Sequence, residues 1–105
     1  MERFLSLPRF KFIPEAIEYA PDESGVYGLF DEDELIYIGL ATGLKGFSIR
    51  ECLLNHLHGA HGECTMRATQ YAWELSFWPK AREAEILAAF HERIGRDPRC
   101  QQEAA

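Results

Sequence analysis

Two short runs rich in β-branched and aromatic residues, Gly-Val-Tyr-Gly-Leu-Phe at 25–30 and Leu-Ile-Tyr-Ile-Gly at 35–39, flank four consecutive acidic residues at 31–34. Strand formers on either side of a polar tetrapeptide predict a β-hairpin, since so short a connection returns the chain antiparallel to itself. A chain of 105 residues has room for one domain built on that hairpin and none for a second. Its 47% hydrophobic and 27% charged residues suffice for a modest buried core.

The remaining segments follow from local signals. Residues 1–24 carry Pro8, Pro14 and Pro21 and end in the turn-rich Pro-Asp-Glu-Ser-Gly. They read as a lead-in that packs on the domain at 25–105, with one helical turn after Pro14. After the hairpin a glycine-punctuated loop, 39–46, leads to a helix predicted over 48–58. There Ser48 and Glu51 form a capping box, and Ile49, Leu53 and Leu57 make one apolar stripe. Residues 59–63 read as loop, and the aromatic run at 70–78 as a third strand ending at Pro79. A last helix is predicted over 81–94, stopped by Gly95 and Pro98. The order strand, strand, helix, strand, helix is that of an α+β domain.

Gly25-Val26-Tyr27, followed ten residues after Tyr27 by Tyr37-Ile38-Gly39, resembles the paired tripeptides of the GIY-YIG endonuclease superfamily. The likeness runs on through the helix with Arg50 and His56, the acidic helix at 81–94 and the terminal Pro98-Arg99-Cys100-Gln101. It implies a three-stranded antiparallel sheet flanked by helices. It also implies hydrolysis of DNA phosphodiesters with one divalent metal, Mg²⁺ or Mn²⁺. In that family a tyrosine of the first tripeptide helps deprotonate the attacking water, a helix arginine steadies the phosphate, and a glutamate holds the metal.

Carried over residue by residue, the resemblance gives Tyr27 and Tyr37 around the attacking water and His56 assisting proton transfer, with Arg50, the only arginine of its helix, as the candidate on the phosphate if the helix is rotated or its long side chain reaches around. It assigns the metal to Glu83 or Glu85, and helical geometry separates these two. At about 100° per residue Glu83 falls within the arc of Ile86, Leu87 and Phe90, whereas Glu85 lies nearly opposite. An inward carboxylate is costly to bury without a cation, which favours Glu83 as the ligand. The alternative is an ion pair at the start of the helix, where the helix dipole also favours negative charge. Two positions depart from the family pattern. Cys52 stands four residues before His56, where relatives carry the arginine, and Arg50 lies about 160° around the helix from it. Gln101 stands where relatives carry asparagine. Lys45 and Arg67 are further phosphate partners to consider, and His91 reads as a partly buried helix residue.

Charge and cysteine usage bear on partners and compartment. The net charge is −6, and residues 1–44, with three basic and nine acidic side chains, hold all of the excess. Such a surface disfavours non-specific nucleic-acid binding. Recognition of DNA would then rest on a branched or damaged structure, on a protein partner that supplies affinity, or on basic residues from Lys45 onward. A catalytically weak binding module on the same fold is the competing reading. Cys52, Cys64 and Cys100 are odd in number, have no paired spacing and follow no signal-peptide layout, so a reducing cytoplasm is expected, without membrane attachment. His56, His58, His61 and Cys64 form H-x-H-x2-H-x2-C, a remoter zinc reading.

Overall fold

The computed structural model describes residues 1–102. In chain order the elements are α1 (Glu2–Leu5), β1 (Phe10–Lys11), α2 (Pro14–Ile17), β2 (Gly25–Asp31), β3 (Glu34–Ala41), α3 (Ile49–Leu57), α4 (Glu63–Met66), β4 (Gln70–Leu75) and α5 (Pro79–Ile94). The hairpin forms as expected, Asp31 pairing with Glu34 across a two-residue turn. Glu32 takes the left-handed conformation there, at φ 55°.

The sheet has four antiparallel strands in the order β1-β4-β2-β3, which corrects the three-stranded expectation. The added strand is only two residues long, pairing Phe10 with Tyr71 and Lys11 with Gln70 at the edge. Two residues are too few to show an alternating pattern, so nothing in the sequence marked them. The short helices α1 and α4 were missed for the same reason. Strand β4 stops at Leu75 rather than 78, and α5 begins at Pro79, whose fixed φ and missing N–H suit the first helical position. Ser48 and Glu51 do form the capping box on α3.

Strand β2 runs between two partners with helices over both faces, which is why Gly25 through Phe30 are all buried. Alternation divides its side chains between two cores. Tyr27 and Leu29 join Phe12, Ile17, Ile49 and Leu53 from the α2 and α3 side. Val26 and Phe30 join Phe4, Ile38, Ile86 and Phe90 from the α1 and α5 side. Residues 1–24 thus supply buried side chains to both cores. The acidic turn draws arginines from the two ends of the chain. Arg99 reaches Asp31 at 2.7 Å and Glu34 at 3.2 Å, and Arg9 reaches Asp33 at 3.5 Å.

Cys64 and Cys100 are joined in a disulfide, a pairing that the cysteine count and spacing did not reveal. Their separation of 36 residues closes a long loop, for which the chain-entropy model gives about 4 kcal/mol of stabilisation. Cys52 remains a free, buried thiol. No helix among the described residues is long and apolar enough to cross a membrane.

Phe4 is 0% exposed and sits in the core beneath α5. Phe4→Ala is expected to cost about 3–5 kcal/mol in urea denaturation, the usual result of emptying a buried aromatic site. A loss under about 1 kcal/mol would show instead that the first helix lies outside the cooperative unit.

Candidate active site

The two tripeptides meet across the hairpin, where Tyr27 on β2 is paired with Gly39 on β3. A Cβ at position 39 would overlap the Tyr27 phenol ring and its hydroxyl. Glycine is therefore required at 39 so that the Tyr27 ring can lie flat over the neighbouring strand. Gly25 does the same for packing, since a side chain there would strike the Glu74 carbonyl and the Ile49 side chain.

From that seat the Tyr27 hydroxyl lies 2.9 Å from His56 Nε2. The other ring nitrogen, His56 Nδ1, lies 2.9 Å from Thr65 Oγ1 on α4. Tyr27 is 3% exposed, and His56 and Thr65 are 0% exposed, so this chain of three polar groups is closed to solvent. Taking the protonated phenol as donor to Nε2 leaves Nδ1–H to donate to Thr65, a tautomer assigned from the hydrogen-bond pattern. Burial holds the His56 pKa down at about 3, with the neighbouring His61, stacked at 4.3 Å, lowering it further. His56 is thus a neutral imidazole at pH 7.

Tyr37 completes the cluster, its ring 4.7 Å from His56 and 6.1 Å from Tyr27. It is only half-buried and gives the cluster its solvent-facing side. Burial raises the phenols of both tyrosines above the ordinary tyrosine value, and nearby Glu83 and Cys52 raise them further. Glu83 arrives on α5, from the opposite side of the sheet. Desolvation raises its own carboxyl pKa, and among the described residues no cation pairs with it. The ion pair considered for the start of that helix belongs instead to Arg82, which binds Glu74 at 2.7 and 3.2 Å and also Glu85. Glu85 is solvent-exposed, as its position opposite the apolar arc predicts.

Arg50 is engaged elsewhere. Its Nε donates to the Ala20 carbonyl at 2.9 Å, and its backbone N–H donates to Pro21, so it clamps the end of the lead-in onto α3. Besides His56, the α3 side chain close to the phenols is Cys52, at the position where the family carries its arginine. No positive charge contributes to the shift of Tyr27, Tyr37, Cys52 or Glu83. Lys45 is exposed on the loop before α3, and Arg67 is exposed with Glu63 at 3.9 Å. Cys64, spent in the disulfide, has no thiolate for the zinc reading, and no group of three or more metal-ligating side chains converges among the described residues.

Two residues at the site escaped the sequence reading or were only flagged there. Thr65 lies in a stretch without periodicity and nine residues from its partner, so no local signal marks it. Gln101 was noted as a departure. Its side-chain amide brackets Ile38, accepting from Ile38 N–H at 3.0 Å and donating to the Ile38 carbonyl at 2.7 Å. The extra methylene over asparagine does not prevent that brace. No protein-family model, curated protein or solved structure matches the chain.

His56 makes stability depend on pH. Its folded pKa of about 3 lies below the ordinary histidine value near 6.5, so the unfolded chain binds the extra proton between those limits. Stability is therefore full above about pH 6.5 and falls as the pH drops toward 3. From pH 7 to pH 5 this one group is expected to remove about 2 kcal/mol, read by urea denaturation against His56→Gln. Equal losses in both proteins would contradict the buried neutral imidazole.

Proposed function

We propose that this chain is a GIY-YIG-type, divalent-metal-dependent endonuclease that hydrolyses phosphodiester bonds in DNA. The observation that carries the reading is Glu83: a half-buried carboxylate without a cation, beside two tyrosines held at the meeting of the paired tripeptides. A desolvated carboxylate of this kind favours a positive partner. The donor set suits Mg²⁺ or Mn²⁺, hard cations that accept one protein carboxylate and keep several water and phosphate oxygens. Glu83 would hold the ion. When bound, such an ion offsets the negative charge building on the phosphate oxygens and makes nearby acids stronger.

The chain's own residues supply positioning and proton handling. The raised phenols are protonated at neutral pH, and Glu83 as a bare anion contributes to that. Neutralising Glu83 removes its repulsion and makes the phenolate forms more accessible. Tyr37, half-open to solvent, is the group that could first lose its phenol proton to solvent and then, as phenolate, receive a proton from an attacking water. Tyr27 is fixed in orientation by Gly39 and His56, and Thr65 fixes His56 in turn. Just before and at the start of α5, Phe77 and Trp78 stand 94% and 77% exposed beside Lys80, which has no acidic partner among the described residues. Exposed rings next to a free cation suit nucleic acid. The acidic hairpin turn does not, which leaves affinity to a branched or damaged DNA structure or to a protein partner.

Cys52 favours a second reading, a catalytically weak binding module on the same fold. The phenols face a thiol where the family carries a guanidinium, and Arg50 is tied to Ala20. One set of assays separates the two readings. Supercoiled, single-stranded and branched DNA are incubated with Mg²⁺ or Mn²⁺ and wild type, Tyr27→Phe, Glu83→Gln or Cys52→Arg. The nuclease reading expects cutting by wild type, and a loss of about 100-fold or more in the first two variants, the scale of removing a charge-stabilising or proton-handling group. Cys52→Arg should cut faster. DNA binding without cutting by wild type or Cys52→Arg would establish the binding module.

A further inference from the structure

We infer that Thr65 is a positioning residue for His56 and that the Cys64–Cys100 disulfide controls it, which makes the site responsive to thiol–disulfide chemistry. The enzymatic consequence rests on the nuclease reading; the structural coupling does not.

The disulfide joins the two segments that brace the candidate site from either side. Cys64 immediately precedes Thr65, whose buried hydroxyl meets His56 Nδ1 at 2.9 Å. Cys100 immediately precedes Gln101 and donates its own N–H to the Ile36 carbonyl at 2.9 Å. With Gln101 bracketing Ile38, the terminal segment holds the backbone on both sides of Tyr37. One covalent bond therefore spans the support of His56 and the support of Tyr37.

On the Thr65 side, the helix that carries the hydroxyl has few ties of its own. Helix α4 has four residues, far short of the length at which a helix persists by itself. It is entered through Gly59 and Gly62, both at positive φ, with a two-residue segment between them. Its side-chain anchors in the core are Thr65 on His56 and the disulfide at Cys64. Opening the disulfide leaves the Thr65–His56 hydrogen bond as the side-chain tie of α4 itself to the core, the next fixed points being Ala68 in the core and Thr69, whose N–H donates to the Phe30 carbonyl at 2.7 Å.

The exchange balances with a dithiol as reductant. Cys100 is 0% exposed whereas Cys64 is partly exposed, so the reductant's thiolate attacks Cys64 Sγ. The Cys64–Cys100 bond breaks, and Cys100 leaves as a thiolate and takes up a proton. The reductant's second thiol then closes on the mixed disulfide, releasing Cys64 as a thiol. Two electrons pass to the protein, and the dithiol becomes a disulfide.

Two readouts test the proposal on the full chain in oxidised and dithiol-reduced form: cleavage rate, and the NMR shifts of the two His56 ring nitrogens. The shifts are widely split when one tautomer is locked and converge when it is not. Reduction is expected to bring the shifts together and to slow cleavage at least about tenfold, both reversed on reoxidation. Thr65→Val, with the disulfide intact, should show converged shifts and slow cleavage in both redox states. A disulfide that serves stability alone would lower the melting temperature and leave the shifts split. Split shifts with two free thiols confirmed by mass, in a folded protein, overturn the proposal. Shifts that respond while neither form cuts DNA would uphold the coupling and count against the nuclease reading. Unresponsive shifts with no cutting in either form would reject both.

Discussion

The site depends on how one aromatic ring is seated. Tyr27 projects from the central strand, and only an absent side chain at Gly39 lets its ring cross the hairpin to His56. Once there, the phenol is buried and needs a hydrogen-bond partner, because an unsatisfied buried hydroxyl costs about 1–3 kcal/mol. His56 supplies it, and His56 in turn needs a partner for its second nitrogen, which Thr65 supplies. A chain of polar groups closed in this way fixes the relative positions of β2, α3 and α4 to within a hydrogen bond. The rest of the molecule keeps those three elements in place. Helices cover both sheet faces, Arg50 ties α3 to the lead-in, and the disulfide ties α4 to the chain end.

The electrostatics of the pocket follow from burial without compensation. Two phenols, a thiol and a carboxylate lie together with their proton affinities raised, and no guanidinium or ammonium lowers any of them. Elsewhere several arginines are paired with acids, as Arg82 is with Glu74 and Arg99 with Asp31 and Glu34, while Arg50 is tied to a backbone carbonyl. A cation beside Glu83 would offset this uncompensated negative charge. That contrast underlies the proposed metal dependence, and it also gives Cys52 its weight, since an arginine there would supply permanently the charge that the pocket lacks.

Much of this arrangement was legible in the sequence because it is written in short-range patterns. The hairpin followed from alternating strand formers around an acidic turn, and the α3 cap from Ser48 and Glu51. The inward turn of Glu83 followed from its phase with Ile86, Leu87 and Phe90. What escaped was long-range or too short to be periodic. The two-residue strand at Phe10–Lys11 exists only because β4 offers it an edge. Thr65 matters through a partner nine residues away, and Cys64 and Cys100 meet across 36 residues. The resemblance and the helix count make Arg50 the phosphate candidate, whereas its contacts are set by the Ala20 carbonyl that the lead-in presents, a partner 30 residues away.

In the proposed nuclease, Glu83 and the two tyrosines form one cation-binding hydrolytic site. This arrangement is tested most directly by titrating Mn²⁺ into the protein and following paramagnetic broadening of its NMR signals. Broadening should centre on Glu83, spread to Tyr37, Tyr27 and Cys52, and be lost in Glu83→Gln. Broadening confined to the acidic turn at 31–34, or the same pattern in Glu83→Gln, would contradict it.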